Sequence, residues 1–400
     1  MKGKFKMITG NSIVRGLTSF AFDDIDDMVQ ALKKQGITPI DFGIGDPKEA
    51  TPAFIRDAAK ASIDRNSARG YPIYNGTYEY RDAVSKWTKK RFNVSLDPDK
   101  EVCAAIGAKE VIFNLPNAFI EPGDYVIIPN PGYPPYLKGT LFARGIPYFL
   151  NLEKKNNFLP DFSSIPSDVI KRTKIIWLNY PNSPTGALAP LDFYKQTVEF
   201  AKKHNILVVS DECYSELYYN EHDKPHSILE VTKEGVLCVN SLSKRSCMTG
   251  WRIGWICGDE KLIAATKKLK TNIDSGIPYF IQDAAIAALA DEKHVEEQRA
   301  RMLLKRNLLV DAFKKSGLED CTPKGTFYLW QRLPQNITGV DLCKKLLDPK
   351  YAIVMSPGAW LAETADGVNP AQYYVRIALV PSVEDCKIAA EKIVKAIVSA

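Results

Sequence analysis

Short apolar runs alternate with amphipathic stretches through the middle of the chain. The runs DYVIIP, KIIWLNY, ILVVSDE and VLCVNSLSK are continuous apolar segments that end in polar residues, and LDFYKQTVEFAKKH has the spacing of an amphipathic helix. Continuous apolar strands that alternate with helices are typical of a mainly parallel sheet covered by helices on both faces. The segment EVCAAIGAKEVIFNLPNAF predicts a strand, a glycine turn and a helix. The predicted fold class is therefore α/β.

The pattern changes near residue 290. A long charged helix, EKHVEEQRARMLLKRNLLVDAFKKSG, is followed by the strand-like runs TFYLWQRL, YAIVMSPG and YYVRIALV and by the helix SVEDCKIAAEKIVKAIVSA. This order predicts a smaller α+β lobe. The early helix DIDDMVQALKKQ is expected to return to that lobe or to bridge a partner. We predict an N-terminal segment 1–48 that joins the small domain, a large ligand-binding domain 49–290 and a small C-terminal domain 291–400.

Composition excludes several classes of protein. The net charge of +6 comes from 53 basic and 47 acidic residues without a basic run, so nothing indicates nucleic acid, and small anionic ligands are only mildly favoured. The first residues, MKGKFKMITG, lack the apolar stretch of a signal peptide, and no run approaches the ~20 apolar residues that span a bilayer. Eight scattered cysteines without a CxxC pair and four histidines without metal-ligand spacing predict a reduced, metal-free, cytoplasmic protein.

Polar residues that could bind a ligand or take part in catalysis lie where the apolar runs end. Gly107, Tyr180, Asp211 and Ser241 each follow such a run, and parallel sheets bind ligands beyond the carboxyl ends of their strands. Asp211, in VVSDECY, is predicted to be buried at that edge, where a carboxylate needs a cationic or hydrogen-bonding partner. Taken alone, it could instead cap the following helix.

Two further segments are ambiguous when each is considered alone. NYPNSPTGA is compatible with an ordinary loop between a strand and a helix. In IGAKEV, Gly107 lets the backbone turn, and the amides of Ala108 and Lys109 begin a helix. Helix starts favour phosphate groups, although a glycine before a helix is common.

The combination of these features points to one ligand. Lys244 follows Ser241 and Ser243 in SLSKRSCMTGWRIGW, and Arg252 comes eight positions after it. A helix start, two hydroxyls, an arginine, a buried carboxylate, a tyrosine and a lysine amine all fall at strand ends of one predicted sheet. Pyridoxal 5′-phosphate needs all of them, because its aldehyde condenses with lysine, its ring nitrogen needs an anion and its phosphate needs donors.

The chain resembles the class I/II aminotransferases of the aspartate aminotransferase superfamily, called fold type I. The likeness runs from DFGIGDP to YYVRIALV, nearly the whole chain. SLSKRSCMTGWRIGW resembles the lysine signature of that family, and NSPTG and DECY come in the family's order and spacing. The resemblance implies a large domain with a mostly parallel mixed sheet between helices, a smaller α+β domain, a pyridoxal 5′-phosphate cofactor and a homodimer with shared active sites.

The resemblance also implies roles for the residues at matching positions. Lys244 would bind the cofactor and shuttle the proton, Asp211 would pair with the ring nitrogen, and Tyr214 would hydrogen-bond the phenolic oxygen. Tyr133 would stack on the ring. The residues implied at the phosphate are Ala108 and Lys109 through their amides, Ser241, Ser243, Arg252, and Tyr71 from the neighbouring subunit.

Substrate contacts follow from the same resemblance. Arg376, in YYVRIAL, would clamp the substrate α-carboxylate, since a guanidinium makes two parallel hydrogen bonds to a carboxylate. Gly45 would lie against that carboxylate. One position departs from the family: asparagine usually precedes PTG, whereas here Ser183 does, with Asn182 just before it. The contact to the phenolic oxygen could come from either residue.

The expected reaction transfers an amino group between an L-amino acid and a 2-oxo acid, with glutamate and 2-oxoglutarate as one pair. KTNIDSGIPYFIQDAAIAAL and GAKEVIFNLPNAF resemble LL-diaminopimelate aminotransferases, and LVPSVEDCKIAAEKI resembles N-succinyldiaminopimelate aminotransferases. Both likenesses indicate the diaminopimelate branch of lysine biosynthesis. Aspartate, alanine or aromatic aminotransferases and a carbon–sulfur lyase on the same fold are the alternatives. A regulator with a DNA-binding extension is disfavoured because no room exists for one before residue 45.

Overall fold

The structure, a computed structural model, is described for residues 9–17, 23–365 and 367–398. Parts of the predicted segment 1–48, residues 1–8 and 18–22, lie outside the described residues, as do the last two residues of the chain. In these ranges the strands are β1 Ile40–Asp41, β2 Val102–Ala105, β3 Tyr125–Asn130, β4 Ile146–Asn151, β5 Thr173–Asn179, β6 Leu207–Asp211, β7 Val236–Ser241, β8 Gly254–Gly258, β9 Tyr328–Arg332, β10 Ile353–Val354, β11 Ser356–Pro357 and β12 Tyr374–Ala378.

Helices surround these strands. They are α1 Ser12–Gly16, α2 Asp23–Lys34, α3 Ala53–Arg65, α4 Tyr78–Phe92, α5 Ala108–Asn114, α6 Pro116–Phe119, α7 Pro134–Phe142, α8 Ser167–Arg172, α9 Leu191–His204, α10 Leu242–Arg245, α11 Glu260–Lys270, α12 Tyr279–Ala290, α13 Lys293–Lys315, α14 Gly339–Leu346 and α15 Val383–Val398. The predicted helices 191–204, near 293–315 and near 383–398 are confirmed.

Seven strands form the central sheet, in the order β2-β8-β7-β6-β5-β3-β4. All run in one direction except β8, which is antiparallel to both β2 and β7. The carboxyl ends of β2, β5, β6 and β7 therefore lie at one edge of the sheet, together with the amino end of β8. The expectation of a mainly parallel sheet is confirmed, and the reversed strand brings the residues before Gly254 to the same edge.

Both faces of the central sheet are buried, which explains why its strands are continuously apolar rather than alternating. Val208 packs into one core with α3, α4, α9 and α12, while the adjacent Val209 packs into a second core with α5, α7 and α11. Side chains of successive strand residues point to opposite faces, so each face needs its own apolar set. A sheet covered in this way leaves only its edges for ligands.

A second, smaller group of strands and helices joins an early segment of the chain to its C-terminal part. Strands β11, β12 and β9 form an antiparallel sheet in that order, and α13 packs against α15 beside it. Strand β1 pairs in parallel with β10, so Ile40 lies opposite Ile353. Leu32 and Phe42 accordingly belong to the same core as Phe313 and Ile393. Residues 32–42 thus pack with the C-terminal part, while the boundaries at 48/49 and 290/291 stay predictions.

The run YAIVMSPG differs from its prediction as one strand. It forms two two-residue strands in different sheets: β10 pairs with β1, and β11 pairs with β12. The chain changes sheets at Met355, which is itself buried. An apolar run this short can serve two sheets because burial alone does not fix which partner a strand takes. Elsewhere, none of the described helices has the length and apolar character needed to span a bilayer.

Candidate active site

The segment after β7 supplies the reactive amine. Ser241 is the N-cap of α10: its hydroxyl oxygen accepts from the Ser243 amide at 3.1 Å and lies 2.9 Å from the Ser243 hydroxyl. The same hydroxyl lies 3.0 Å from the carbonyl oxygen of Ile253, the residue before β8. Serine favours this cap position because its side chain replaces a missing backbone acceptor. The cap fixes a helix that is only four residues long, and Lys244 is its third residue.

Lys244 is largely enclosed and lacks a close carboxylate partner among the described residues. Its Nζ donates to the carbonyl oxygen of Gly45 at 2.6 Å and lies 5.5 Å from the ring centroid of Phe327. Burial lowers the pKa of the Lys244 amine, and the positive charge of Arg252 adds to this effect, although the Tyr328 hydroxyl and Asp46 oppose it. An amine with a lowered pKa is more often neutral, and the neutral form is the nucleophile and the base.

Asp211 ends β6 and is 4% exposed. Its Oδ2 accepts from the Tyr136 hydroxyl at 2.6 Å, and its Oδ1 accepts from the Cys213 amide at 3.2 Å. Burial raises the pKa of the Asp211 carboxyl, while the hydrogen bond from Tyr136 and those from Cys213 lower it. No cation forms a salt bridge with it within the described parts of the chain. The site therefore holds a buried carboxylate whose charge is stabilised only by neutral donors, which suits a cationic ligand group.

Tyr214 lies three residues beyond Asp211 and reaches the C-terminal sheet. Its hydroxyl is 3.2 Å from the Tyr328 hydroxyl, and its ring meets that of Phe327 edge-on at 5.7 Å. Burial raises the pKa of Tyr214 well above its ordinary value, with the neighbouring Tyr328 contributing further. Tyr214 is therefore a protonated hydrogen-bond donor at neutral pH.

The glycine turn after β2 lies beneath Arg252. Gly107 precedes α5 with φ of +66°, and a Cβ at this position would collide with the Arg252 guanidinium. Gly254 is equally constrained, since its Cβ would lie 2.6 Å from the Asn240 carbonyl oxygen and 3.4 Å from the Ala108 nitrogen. The amides of Ala108 and Lys109, the serine hydroxyls at the start of α10 and the Arg252 guanidinium thus lie in neighbouring loops at one edge. This donor set suits a dianion such as a phosphate.

Tyr133 begins α7 and stays 37% exposed. Its ring meets that of Tyr136 edge-on at 5.8 Å, and Tyr136 in turn stacks on Trp177 at 4.8 Å. Burial raises the pKa of the Tyr133 hydroxyl, with the charge of Asp211 adding to the effect. Tyr133 therefore lies near the buried carboxylate with a ring face that is partly open.

The departure at NSPTG has a structural consequence. Asn182 is fully buried, and its side chain closes its own loop: Oδ1 accepts from the Thr185 hydroxyl at 2.7 Å, and Nδ2 donates to the Asn179 carbonyl oxygen at 3.2 Å. The Ser183 amide donates to Asn179 Oδ1 at 2.8 Å, while among the described residues its hydroxyl has no recorded partner. Asn182 is thus occupied within the loop, and Ser183 is the one of the two with a free polar group.

Arg376 projects from β12, opposite Trp330 of β9 and Ser356 of β11. Its Nη2 donates to the Gly43 carbonyl oxygen at 2.7 Å and lies 3.3 Å from the Ser356 hydroxyl. Its Nε is buried without a hydrogen-bond partner in the described structure. The guanidinium is thus held through Nη2 while Nε still lacks an acceptor, and an anion could supply one.

Gly45 completes the enclosure of this region. A Cβ at Gly45 would collide with the Tyr328 hydroxyl, so only glycine fits here. The Arg376 guanidinium lies over the same Tyr328 ring, 4.7 Å from its centroid. The Gly45 carbonyl also accepts from the Lys244 amine, so Gly45 and Tyr328 connect the surroundings of Lys244 with those of Arg376.

Tyr71 is separate from these groups in the single chain. It is 86% exposed, and its backbone carbonyl accepts from the Tyr279 hydroxyl at 3.1 Å. Ile73, Tyr74 and Tyr78 nearby are also exposed, at 51%, 42% and 50%. An exposed apolar segment of this kind is typical of an interface with another chain.

Sequence reasoning missed three contributors to the site. Tyr136 holds Asp211 and comes three residues after Tyr133, the spacing of one helix face, so this signal was available. Asn179 ends β5 directly opposite Asp211 in register and donates to the Asp211 carbonyl oxygen at 3.0 Å. The rule that strand ends carry chemistry would have included it. Tyr328 lies inside an apolar strand run, where no local pattern distinguishes it from a core residue.

Comparisons with known proteins identify the family and the fold. A family model described as aminotransferase class I and II matches residues 37–393. The LL-diaminopimelate aminotransferase of Aquifex aeolicus (strain VF5) is 43% identical over 380 residues, covering 94% of this chain and 96% of that protein. The LL-diaminopimelate aminotransferase of Halothermothrix orenii is 39% identical, covering 95% and 96%. The crystal structure of an aminotransferase from Neisseria meningitidis Z2491 superposes with a TM-score of 0.89 at 32% identity, covering 97% of this chain and 100% of that one.

The fold and the match over most of the chain define the class. The chain belongs to the class I and II aminotransferases. It is an enzyme that transfers amino groups, and its fold is that of fold type I, as the sequence predicted.

Proposed function

We propose that this enzyme binds pyridoxal 5′-phosphate at the carboxyl edge of the central sheet and transfers the amino group of LL-diaminopimelate to 2-oxoglutarate. The observation that supports the cofactor most strongly is the meeting of three groups with unmet chemistry: an enclosed amine without a carboxylate, a buried carboxylate without a cation and a loop edge rich in anion donors. Each of them matches a different part of the cofactor.

The residues present suit the cofactor. Lys244 would hold it through the amine, and Tyr133 and Asp211 would hold its ring. Tyr214 and Ser183 would donate to the phenolic oxygen, in preference to Asn182, whose Nδ2 donates to the Asn179 carbonyl oxygen within its own loop. The phosphate would be held by the amides of Ala108 and Lys109, the hydroxyls of Ser241 and Ser243, and Arg252.

When bound, the cofactor supplies an aldehyde that condenses with amines and a protonated ring that withdraws electrons from the substrate Cα. Lys244, whose pKa burial lowers, would take the Cα proton at Nζ and return it to the neighbouring carbon, acting first as base and then as acid. The Gly45 carbonyl would orient that Nζ. Phe327 and Tyr328 would exclude water from the amine, because both rings are buried beside it.

Asp211 would keep the cofactor ring protonated. This role requires the ionised carboxylate, which the hydrogen bonds from Tyr136 and Cys213 favour and burial disfavours. The cationic ring nitrogen would itself lower the pKa of the carboxyl further, since an opposite charge favours the ionised form. Tyr136 would thus set how strongly the site holds the proton of the ring.

The substrate carboxylate would bind Arg376. Its Nη2 is already oriented by Gly43 and Ser356, so the fork loses little freedom when a carboxylate arrives. The choice of LL-diaminopimelate rests on the names of relatives at 39% and 43% identity that the chain covers almost completely. We infer lysine biosynthesis as the pathway on the same ground.

A homodimer with shared sites is part of the proposal. The exposed segment around Tyr71 would lie on the partner, and the Tyr71 hydroxyl would reach the phosphate in the partner's site. A cytoplasmic location stays a prediction from the cysteine content.

A donor panel tests the proposal. Purified enzyme loaded with pyridoxal 5′-phosphate is given 2-oxoglutarate and, in separate assays, LL-diaminopimelate, its N-succinyl form, aspartate, alanine or phenylalanine, and glutamate formation is measured. We expect the highest kcat/KM with LL-diaminopimelate. A preference for another donor would overturn the substrate assignment. An S-substituted cysteine is added to the panel, and release of pyruvate, ammonia and a thiol from it without glutamate would indicate a lyase.

A further inference from the structure

Lys270 is a buried cation that the proposed chemistry does not use. It ends α11, is 1% exposed, and bonds two carboxylates: Asp274 Oδ2 at 2.6 Å and Glu110 Oε2 at 3.4 Å. A fully buried lysine is costly unless it is paired. Glu110 and Asp274 supply this pairing, and both are held by the same Nζ atom. Glu110 lies in the first turn of α5 and Asp274 in the loop after α11, and each leads to a different part of the proposed phosphate site.

The first loop is the glycine turn before α5. The Glu110 oxygen that meets Lys270 also accepts from the Ile106 amide at 3.1 Å. Ile106 directly precedes Gly107, whose φ of +66° aims the start of α5. Lys270 therefore fixes Glu110, and Glu110 fixes the backbone that presents the Ala108 and Lys109 amides.

The second loop supports the exposed tyrosine segment. The other oxygen of Asp274, Oδ1, accepts from the Gly276 amide at 2.7 Å. Gly276 adopts φ of +86°, and a Cβ there would lie 2.9 Å from the Ile73 carbonyl oxygen. The loop held by Lys270 thus packs against the backbone of Ile73 and Tyr74, which are two and three residues beyond Tyr71.

We infer that Lys270 is a positioning residue for the phosphate site, which orients both the loop 106–109 of its own site and the segment 71–76 that extends toward the partner's site. This inference rests on the proposed function. It makes a single ion-pair cluster in each subunit responsible for two phosphate sites, one on each side of the dimer.

The inference predicts an effect limited to the phosphate. The substitution Lys270→Met leaves two partly buried carboxylates without their cation, so the start of α5 and the loop after α11 lose their common anchor. Lys244, Asp211 and Tyr214 do not touch the cluster, and the ring-binding part of the site should stay intact. Affinity for pyridoxal 5′-phosphate should fall, while affinity for pyridoxal, which lacks the phosphate, should not.

The experiment compares the two ligands on the full-length chain. Equilibrium affinities for pyridoxal 5′-phosphate and for pyridoxal are measured for the unaltered enzyme, Lys270→Met and the control Lys305→Met. Lys305 is also a buried lysine, at 2% exposure, and pairs with Glu49 Oε1 at 2.8 Å, away from the phosphate loops. We expect Lys270→Met to reduce the preference for the phosphorylated ligand by about tenfold or more, and Lys305→Met to change it less than about twofold.

A second readout uses the protein without any ligand. Hydrogen exchange should accelerate in both 106–109 and 71–76 in Lys270→Met and in neither segment in Lys305→Met. If Lys270→Met does not yield folded protein, Glu110→Gln, which removes the charge at similar volume, should show the same change of preference and faster exchange in 106–109.

The outcomes separate the two claims. If the unaltered enzyme does not prefer pyridoxal 5′-phosphate over pyridoxal, the proposed phosphate site is wrong. If it does, and the folded Lys270 or Glu110 variant keeps the full preference and unchanged exchange in 106–109, the inference about Lys270 is overturned. Faster exchange in 106–109 alone would overturn the part that concerns the segment 71–76.

Discussion

Tyr136→Phe is the sharpest perturbation of the proposed charge arrangement. The Tyr136 hydroxyl donates to Asp211 at 2.6 Å, and its ring stacks on Trp177 at 4.8 Å with an interplanar angle of 21°. Phenylalanine keeps the ring and the stacking but removes the donor. The change therefore isolates one hydrogen bond to a buried carboxylate.

The magnitude follows from what remains around the carboxylate. A hydrogen bond to a charged group contributes about 1.5–3 kcal/mol, and one pKa unit corresponds to about 1.4 kcal/mol. Burial already raises the pKa of Asp211, and the Tyr136 bond is the largest opposing effect. Its loss should raise the pKa of the carboxyl and cost the ionised form about 1.5–3 kcal/mol, roughly a 10- to 150-fold change in the equilibrium between the ionised and protonated forms. Activity requires the ionised carboxylate, so the acidic limb of the pH profile should move to higher pH.

The assay is the pH dependence of kcat/KM for one donor with 2-oxoglutarate, compared between the unaltered enzyme and Tyr136→Phe. Tyr180→Phe is the matched control, because Tyr180 is buried and its hydroxyl donates to the Phe158 carbonyl oxygen at 2.6 Å, away from any carboxylate. That control should leave the acidic limb unchanged. An unmoved limb in Tyr136→Phe, or one that moves to lower pH, would refute the reasoning.

Three further predictions concern the substrate, the loop and the dimer. Arg376→Lys should raise KM for the amino donor roughly 10- to 150-fold, since one charged hydrogen bond of about 1.5–3 kcal/mol is lost, and should leave cofactor affinity unchanged; equal kinetics across several donors would count against a carboxylate clamp. Ser183→Ala should shift the pH titration of the cofactor's visible absorbance, whereas Asn182→Ala should lower the melting temperature, because it opens a buried loop; the reverse pattern would assign the contact to Asn182. Tyr71→Ala should be inactive alone yet regain activity when mixed with an inactive Lys244→Ala subunit, and a mixture without activity would argue against shared sites.

Strand ends and the glycine turn carried most of the information that was available from sequence. Asp211, Ser241 and Gly107 were predicted at one edge because parallel strands end together, and β2, β6 and β7 do so. Arg252 reaches that edge for a different reason, since β8 runs backward and presents its amino end there. No local pattern indicates a reversed strand, so this part of the geometry depended on the family resemblance.

Other features depended on contacts between distant segments, which sequence patterns do not report. Tyr328 looks like any aromatic residue of an apolar strand, yet its ring lies under the Arg376 guanidinium and its hydroxyl meets that of Tyr214. The run around Met355 divides between two sheets because Ile353 pairs with Ile40, over three hundred residues away in the chain. The hydrogen bonds that Asn182 makes within its own loop, to Asn179 and from Thr185, are likewise visible only in the structure, and they support the proposal that Ser183 makes the contact.

The account depends above all on the amine of Lys244 as the attachment point of the cofactor. The most direct measurement is borohydride reduction of enzyme loaded with pyridoxal 5′-phosphate, followed by peptide mapping, with Lys244→Ala as the comparison. The account predicts one modified lysine, Lys244, and no site-specific label in the variant. A label on a different lysine, or an identical label in the variant, would contradict it.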